Sequence, residues 1–378
     1  MKRLIKCIVL SSLIILGICL IMLKKENTSN NTNEKTSDVI PVLFEQEKIL
    51  ANQKLQTMSI DEKIGQLFLV RIPEQGIEED IQNYQFGGLL YFAKDFKNLT
   101  KNEVQNKISN YQSLAKIPML MAVDEEGGTV SRISSNKNLV ADPFLSPSEL
   151  YQKGGLEAIK EDTIKKTNIL SELGLNLNLA PVVDITLNKE DYMYERSLQE
   201  DAQTTCEYAQ TLIQTSDPTK LSFTLKHFPG YGNNTDTHQG ISIDTRDLNT
   251  IKQQDLKPFI AGINAQAEAV LISHNIVTAI DSLNPASLSK PVHDLLKNEL
   301  HFTGIIITDN LDMAGVDIDE ETKIYKALTS GNDLLITTDY KNDISIVKKL
   351  LSEKVIDEEL INEKVVKILA WKYYKKLI

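Results

Sequence analysis

Five apolar runs in this chain end on residues that can do chemistry. Asp124 closes PMLMAVD and Asp184 closes LNLNLAPVVD. Lys226 and His227 fall near the end of SFTLKHF, His274 and Asn275 close AVLISHN, and Asp309 and Asn310 close GIIITDN. Two of the chain's five histidines, His227 and His238, lie within KHFPGYGNNTDTH (226–238), which also holds Asp236. A polar residue often closes a strand or caps a helix, and Asp184 reads equally as such a cap. Five ends meeting on one face would instead build a site.

Several chemistries use such a set. A barrel metallohydrolase takes ligands such as a His-x-His pair from its first strand; LFLVRI offers none, and the lysine and arginines of the set would repel a dication. No metal and no cofactor are expected. Schiff-base chemistry on Lys226 is open, although a lysine followed by histidine suits hydrogen bonding to hydroxyls equally well. Cleavage of a glycosidic bond needs a carboxylate beneath the sugar ring and an acid/base beside the leaving oxygen. Asp309, at the end of a stiff apolar strand, is both fixed and placed at a rim, which suits a nucleophile. The acid/base belongs on something more mobile, and residues 229–240 supply Asp236-Thr237-His238. An aspartate hydrogen-bonded to an imidazole fixes its tautomer and raises its basicity. By spacing alone, Asp-x-His in a loop is more often a turn than a dyad.

The elements that would position these residues follow from periodicity. Eight apolar runs (64–70, 87–92, 118–124, 175–184, 222–228, 269–275, 304–310 and 333–338) alternate with amphipathic stretches such as GLEAIKEDTIKKTNILSEL (155–173). Near-continuous apolar strands suit a parallel sheet buried on both faces. Eight strand–helix units predict an α/β fold, a single (β/α)8 TIM-type barrel over residues 46–378, with its site at the C-terminal ends of the strands. A doubly wound open sheet is the alternative, but no G-x-G-x-x-G follows the first strand. The closing lysine-rich helix (357–377) reads as having a solvated basic face. His293 and His301 read as surface residues, Leu311 and Met313 as packing, and His274 and Asn275 as either lining the site or satisfying backbone at its rim.

The 378 residues carry a net charge of −11 with 42% apolar composition and no basic stripe, which excludes nucleic acid as an expected partner. Cys206 stands alone in the body, so neither an intradomain disulfide nor a cysteine metal site is available. Lys2, Arg3 and Lys6 precede CIVLSSLIILGICLIML, and Lys24 and Lys25 follow it. Residues 1–25 therefore read as an N-terminal transmembrane anchor or signal segment, near the lower limit of a spanning helix, about 17 residues. No small-x-small cleavage site follows, and Ile18 precedes Cys19 where a lipoprotein site needs a small residue. The expectation is a membrane anchor with the body outside the cell, or else secretion. Residues 26–45 begin rich in Asn, Thr and Ser, a flexible linker. A monomer is expected.

Three motifs together, AVDEEGGTVSRI, LKHFPGYGNNTDTH and IITDNLDMAGV, resemble the β-N-acetylglucosaminidases of glycoside hydrolase family 3. The resemblance runs in order over most of residues 55–370. It implies Asp309 as nucleophile, His238 as general acid/base and Asp236 as its partner. It implies that Asp124, Arg132, Arg196, Lys226 and His227 bind the sugar, and that Tyr231 lies near it. It also implies a retaining two-step reaction without metal, on carbohydrate ending in β-linked N-acetylglucosamine, often a peptidoglycan fragment. Two positions depart from the family pattern: Tyr231 stands where KHFPGHG has its second histidine, and Thr129 replaces the common arginine after EGG. A neutral imidazole does not repel an anion, so phosphorolysis by the same residues is an alternative. A catalytically inactive, membrane-tethered glycan-binding module is another.

Overall fold

A computed structural model describes residues 42–378. The expected anchor or signal segment (1–25) and most of the linker (26–45) lie outside the described residues. No helix among the described residues is long and apolar enough to cross a membrane.

The eight apolar runs form eight parallel strands: β1 (Phe68–Arg71), β2 (Gly88–Tyr91), β3 (Leu120–Val123), β4 (Leu177–Asn178), β5 (Ser222–Phe228), β7 (Ala269–Ile272), β9 (Ile305–Thr308) and β10 (Leu335–Thr337). Their order in the sheet is β10-β1-β2-β3-β4-β5-β7-β9. The gap between the two ends is spanned by a parallel bridge, Ile307 to Leu334, and by Thr308 N–H donating to Leu334 O at 3.1 Å. The sheet thus curls into a nearly closed barrel of the TIM type. A helix follows each strand, because each connection must return the chain to the start of the next parallel strand. β9 shows why the apolar runs are unbroken: Ile305, Ile306 and Ile307 are all fully buried, some against the barrel interior and some against helices. Outside the barrel, β6 (Ile243–Asp244) pairs in parallel with β8 (Ile276–Val277) at the rim beyond β5 and β7.

Helix starts are written locally. Ser146, Thr100 and Ser59 each cap a helix and pair with a glutamate three residues on. The helix Pro147–Glu172 is interrupted at Gly154 and Gly155, and Gly155 has φ 59°, a conformation that glycine adopts without a Cβ penalty.

The C-terminal helix, Glu358–Tyr374, corrects one expectation. Its lysine face is not solvated: Lys364, Lys372 and the following Lys375 are buried. Lys372 donates to Gln66 Oε1 at 2.7 Å, Lys375 to Pro218 O and Ser222 Oγ at 2.6 Å, and Lys364 to Asn332 O at 2.6 Å. The helix runs beneath the barrel, and its lysine stems reach acceptors near the N-terminal ends of β1, β5 and β10. Phe44 joins the same face, with its ring 5.2 Å from that of Tyr374 and 6.4 Å from that of Trp371. His293 is likewise buried, bonded to Ser289 O and Asn332, and not at the surface.

Candidate active site

At the C-terminal ends of the strands lies a cavity of about 300 Å³. It gathers Arg71 from β1, Phe92 after β2, Asp124 after β3, Lys226 and His227 from β5, and Asp309 after β9. Arg132, Tyr231 and His238 reach it from loops, and Arg196 from the short 3-10 helix Tyr194–Arg196. Eight of the nine residues expected from the sequence therefore line one cavity. The ninth, Asp236, stands behind His238, with its carboxylate 2.7 Å from His238 Nδ1.

Lys226 and His227 are consecutive in β5, and consecutive strand residues ordinarily face opposite sides. Here the pairing of β5 with β7 shifts register between Leu225 and Phe228. The shift lets both side chains line the cavity. Lys226 Nζ lies 2.5 Å from Asp124 Oδ1 and 2.6 Å from Glu126 Oε1. Arg132 donates to the other oxygen of Asp124 at 3.2 Å. Arg196 grips Glu126 in bidentate fashion, Nε to Oε2 at 2.9 Å and Nη2 to Oε1 at 2.6 Å. Burial works against the charge of Glu126, but Arg196 and Lys226 outweigh it and hold the carboxyl well below the usual carboxylate range. Lys226, Arg132 and Arg196 thus each meet a carboxylate, and together these pairs form a polar floor suited to sugar hydroxyls.

Asp184 lies beneath this floor. Its Oδ2 is 2.7 Å from His227 Nδ1, and its Oδ1 accepts from the Tyr231 N–H at 2.7 Å. A carboxylate can only accept, so Nδ1 carries the proton and Nε2 accepts from Arg196 Nη2 at 3.3 Å. Asp184 is therefore the orienting partner of a site histidine, and not a helix cap.

Asp309 has one oxygen bound by the Asn310 N–H at 2.8 Å. Burial would raise its pKa; the imidazoles of His274, His227 and His238 and the Asn310 N–H outweigh that and lower it. The carboxylate is thus kept ionised, as a nucleophile requires. His274 does not line the cavity. It is buried, with Nε2 donating to Asn310 O at 2.8 Å and Nδ1 accepting from the Ser287 hydroxyl at 2.7 Å. It satisfies backbone beside Asp309, and burial lowers its pKa.

The Asp236–His238 pair is open to solvent on one side, since the His238 side chain is 60% exposed. Nδ1–H faces Asp236, which leaves Nε2 free for proton transfer. Burial raises the Asp236 carboxyl, but hydrogen bonds from the His238 N–H and ring and the charge of His238 prevail and lower it.

Sequence reasoning missed Arg71, Phe92, Tyr192, Glu125 and Glu126. Arg71 and Arg132 both stack on the Phe92 ring, 4.2 and 5.2 Å from its centroid. Glu125 accepts from the Arg132 and Ile133 N–H groups at 2.7 and 2.6 Å, and so shapes the segment that presents Arg132. Two carboxylates directly after Asp124 were the available signal for Glu125 and Glu126. Tyr192 carried none.

The family description "Glycosyl hydrolase family 3 N terminal domain" matches residues 59–371. The chain belongs to glycosyl hydrolase family 3. Among family relatives, the Beta-hexosaminidase A of Pseudoalteromonas piscicida is 30% identical over 262 residues, covering 64% of this chain and 43% of that protein. The Beta-hexosaminidase of Xanthomonas campestris pv. campestris (strain B100) is 29% identical over 238 residues, 62% of this chain and 71% of the other. The solved family 3 beta-N-acetylglucosaminidase from Paenibacillus sp. str. FPU-7 superposes with a TM-score of 0.78 at 25% identity, over 85% of this chain and 63% of that one. The chain thus spans less than half of the Pseudoalteromonas protein and under two thirds of the Paenibacillus chain.

Proposed function

We propose that this protein is a retaining glycoside hydrolase that releases terminal β-linked N-acetylglucosamine, with peptidoglycan fragments as the substrate class. The observation that carries the reading is the meeting of Asp309 and the Asp236–His238 pair at one cavity that also holds a paired polar floor. The name of the Paenibacillus relative points to the same sugar, and the names of the other two to hexosaminides more broadly.

In the first step an Asp309 oxygen attacks the anomeric carbon as the glycosidic C–O bond breaks, and His238 Nε2–H delivers a proton to the leaving oxygen. Asp236 stabilises the imidazolium that this step uses. In the second step neutral Nε2 takes a proton from water, the water oxygen bonds to the anomeric carbon, and Asp309 leaves. Asp124, Arg132, Arg196, Lys226 and His227 hold the sugar hydroxyls and amide, and the Tyr231 ring lines the wall.

The test is release of an aryl alcohol from an aryl β-N-acetylglucosaminide. Asp309→Ala should lose activity by several orders of magnitude. His238→Ala should lose about 10²- to 10⁴-fold on an unactivated aglycone, the usual share of general acid–base catalysis. Binding without turnover by the wild type would support a binding module instead. Glycosyl phosphate as the product in phosphate buffer would support a phosphorylase.

A further inference from the structure

The loop carrying Asp236 and His238 is held at the residue between them. Thr237 is 1% exposed, in contrast to the open imidazole beside it. The Tyr231 hydroxyl accepts from the Thr237 N–H at 3.0 Å and shares a hydrogen bond with the Thr237 hydroxyl at 2.7 Å. From the opposite side the Gly315 N–H donates to Thr237 O at 2.8 Å. A Cβ on Gly315 would lie 2.9 Å from Thr237 Cβ and 3.2 Å from His274 Cβ, so only glycine permits this approach. Gly315 belongs to the segment that follows Asp309. The acid/base loop is therefore tied to the nucleophile's own loop at one backbone unit.

Tyr231 is itself immobilised. Its N–H is held by Asp184, its carbonyl accepts from Asn234 Nδ2 at 2.8 Å, and its ring packs 5.5 Å from that of His227 and 5.6 Å from that of Tyr192. Burial raises the pKa of the phenol, so it stays protonated at neutral pH. A phenol oxygen can accept from an N–H and donate to a hydroxyl at one atom; an imidazole nitrogen does one or the other. Tyr231 thus serves both the N–H and the hydroxyl of Thr237 at one atom.

We propose that Tyr231 is a positioning residue whose hydroxyl pins Thr237 and so sets the Asp236–His238 pair over the cavity before substrate binds. The inference rests on the acid/base role given to His238 above. Tyr231→Phe keeps the ring and its packing but removes both hydroxyl bonds to Thr237, leaving only the Gly315 N–H on the Thr237 carbonyl. A general acid displaced by about 1 Å costs on the order of 100-fold, and the loss should appear only where proton delivery limits the rate.

The experiment compares kcat/KM for an alkyl and a dinitrophenyl β-N-acetylglucosaminide in wild type, Tyr231→Phe, Thr237→Val, the double variant and His238→Ala. The expected result is a fall of about 10- to 100-fold on the alkyl glycoside for Tyr231→Phe, and less than about 3-fold on the dinitrophenyl glycoside, whose departure needs little acid help. Thr237→Val, which leaves the Thr237 N–H on the Tyr231 hydroxyl, should show the same aglycone split with a smaller loss. The double variant should lose little more than Tyr231→Phe alone, because Tyr231→Phe already removes both bonds of the link. Equal losses on both aglycones, or additive losses in the double variant, would overturn the latch and leave Tyr231 a packing residue. If His238→Ala shows the split and Tyr231→Phe does not, the latch fails while the proposed function stands. If His238→Ala shows no split either, the acid/base reading fails and the latch falls with it.

Discussion

Asp184 has each oxygen committed to a different N–H: the ring of His227 and the backbone of Tyr231. Asn at this position has one acceptor and one donor, so one of those N–H groups would face an NH₂. Asp184→Asn should lower kcat/KM on an aryl β-N-acetylglucosaminide about 10- to 100-fold through misplacement of His227 and Tyr231, with the circular dichroism spectrum unchanged. Asp184 also closes an apolar run, and in sequence it reads equally as a rim residue or a helix cap; its partners decide between the two. At this scale, the residues legible in sequence were those that end strands: Asp124, Lys226, His227 and Asp309. Glu126 was hidden because its role depends on two cations, Arg196 and Lys226, from other parts of the chain.

The strand ends and the C-terminal helix behave differently at the scale of elements. All eight apolar runs became strands, because a segment apolar on both faces has to be buried on both. The helix Glu358–Tyr374 lies where periodicity predicts it, but its lysines are buried where the pattern predicts solvation. Periodicity reveals a stripe of long basic side chains; it does not reveal that acceptors such as Gln66 Oε1 wait beneath. Burial pushes Lys372 down to about 7. Between that value and the free-lysine range near 10.4, the unfolded chain holds a proton that the folded chain lacks. Stability should therefore rise with pH across this window, by up to about 1.4 kcal/mol per unit for one proton, and Lys372 adds no pH dependence below pH 7. Lys372→Met should flatten that rise in urea unfolding measured from pH 7 to 9.5. An unchanged slope would mean that the amine is not titrating in the fold.

The described residues form a barrel whose cavity lining runs from Arg71 to Ile336 and whose opposite face is sealed by the C-terminal helix and Phe44. Phe44 is 5% exposed, and Leu43 N–H donates to Thr303 Oγ1 at 3.0 Å. Leu43 and Phe44 thus lie on the face away from the cavity. Phe44→Ala should cost about 3 kcal/mol of unfolding free energy and leave KM for an aryl glycoside unchanged, since nothing it touches lines the site. We propose that residues 1–25 anchor the body outside the cell; protease should then reach the body in intact cells, and full protection would refute it.

The sequence by itself determined the strand count, the parallel barrel and the site residues that close strands, Asp124, Lys226, His227 and Asp309, because those depend on local periodicity and on which residue types close each apolar run. Arg132, Arg196 and Tyr231 came from family resemblance. Tertiary structure alone decided which carboxylate serves which cation, how Lys226 and His227 come to share one cavity, and that Tyr231 reaches Thr237. The reason is physical. A hydrogen bond requires two groups within about 3 Å, and a chain specifies that distance between remote residues only through the packing of everything between them.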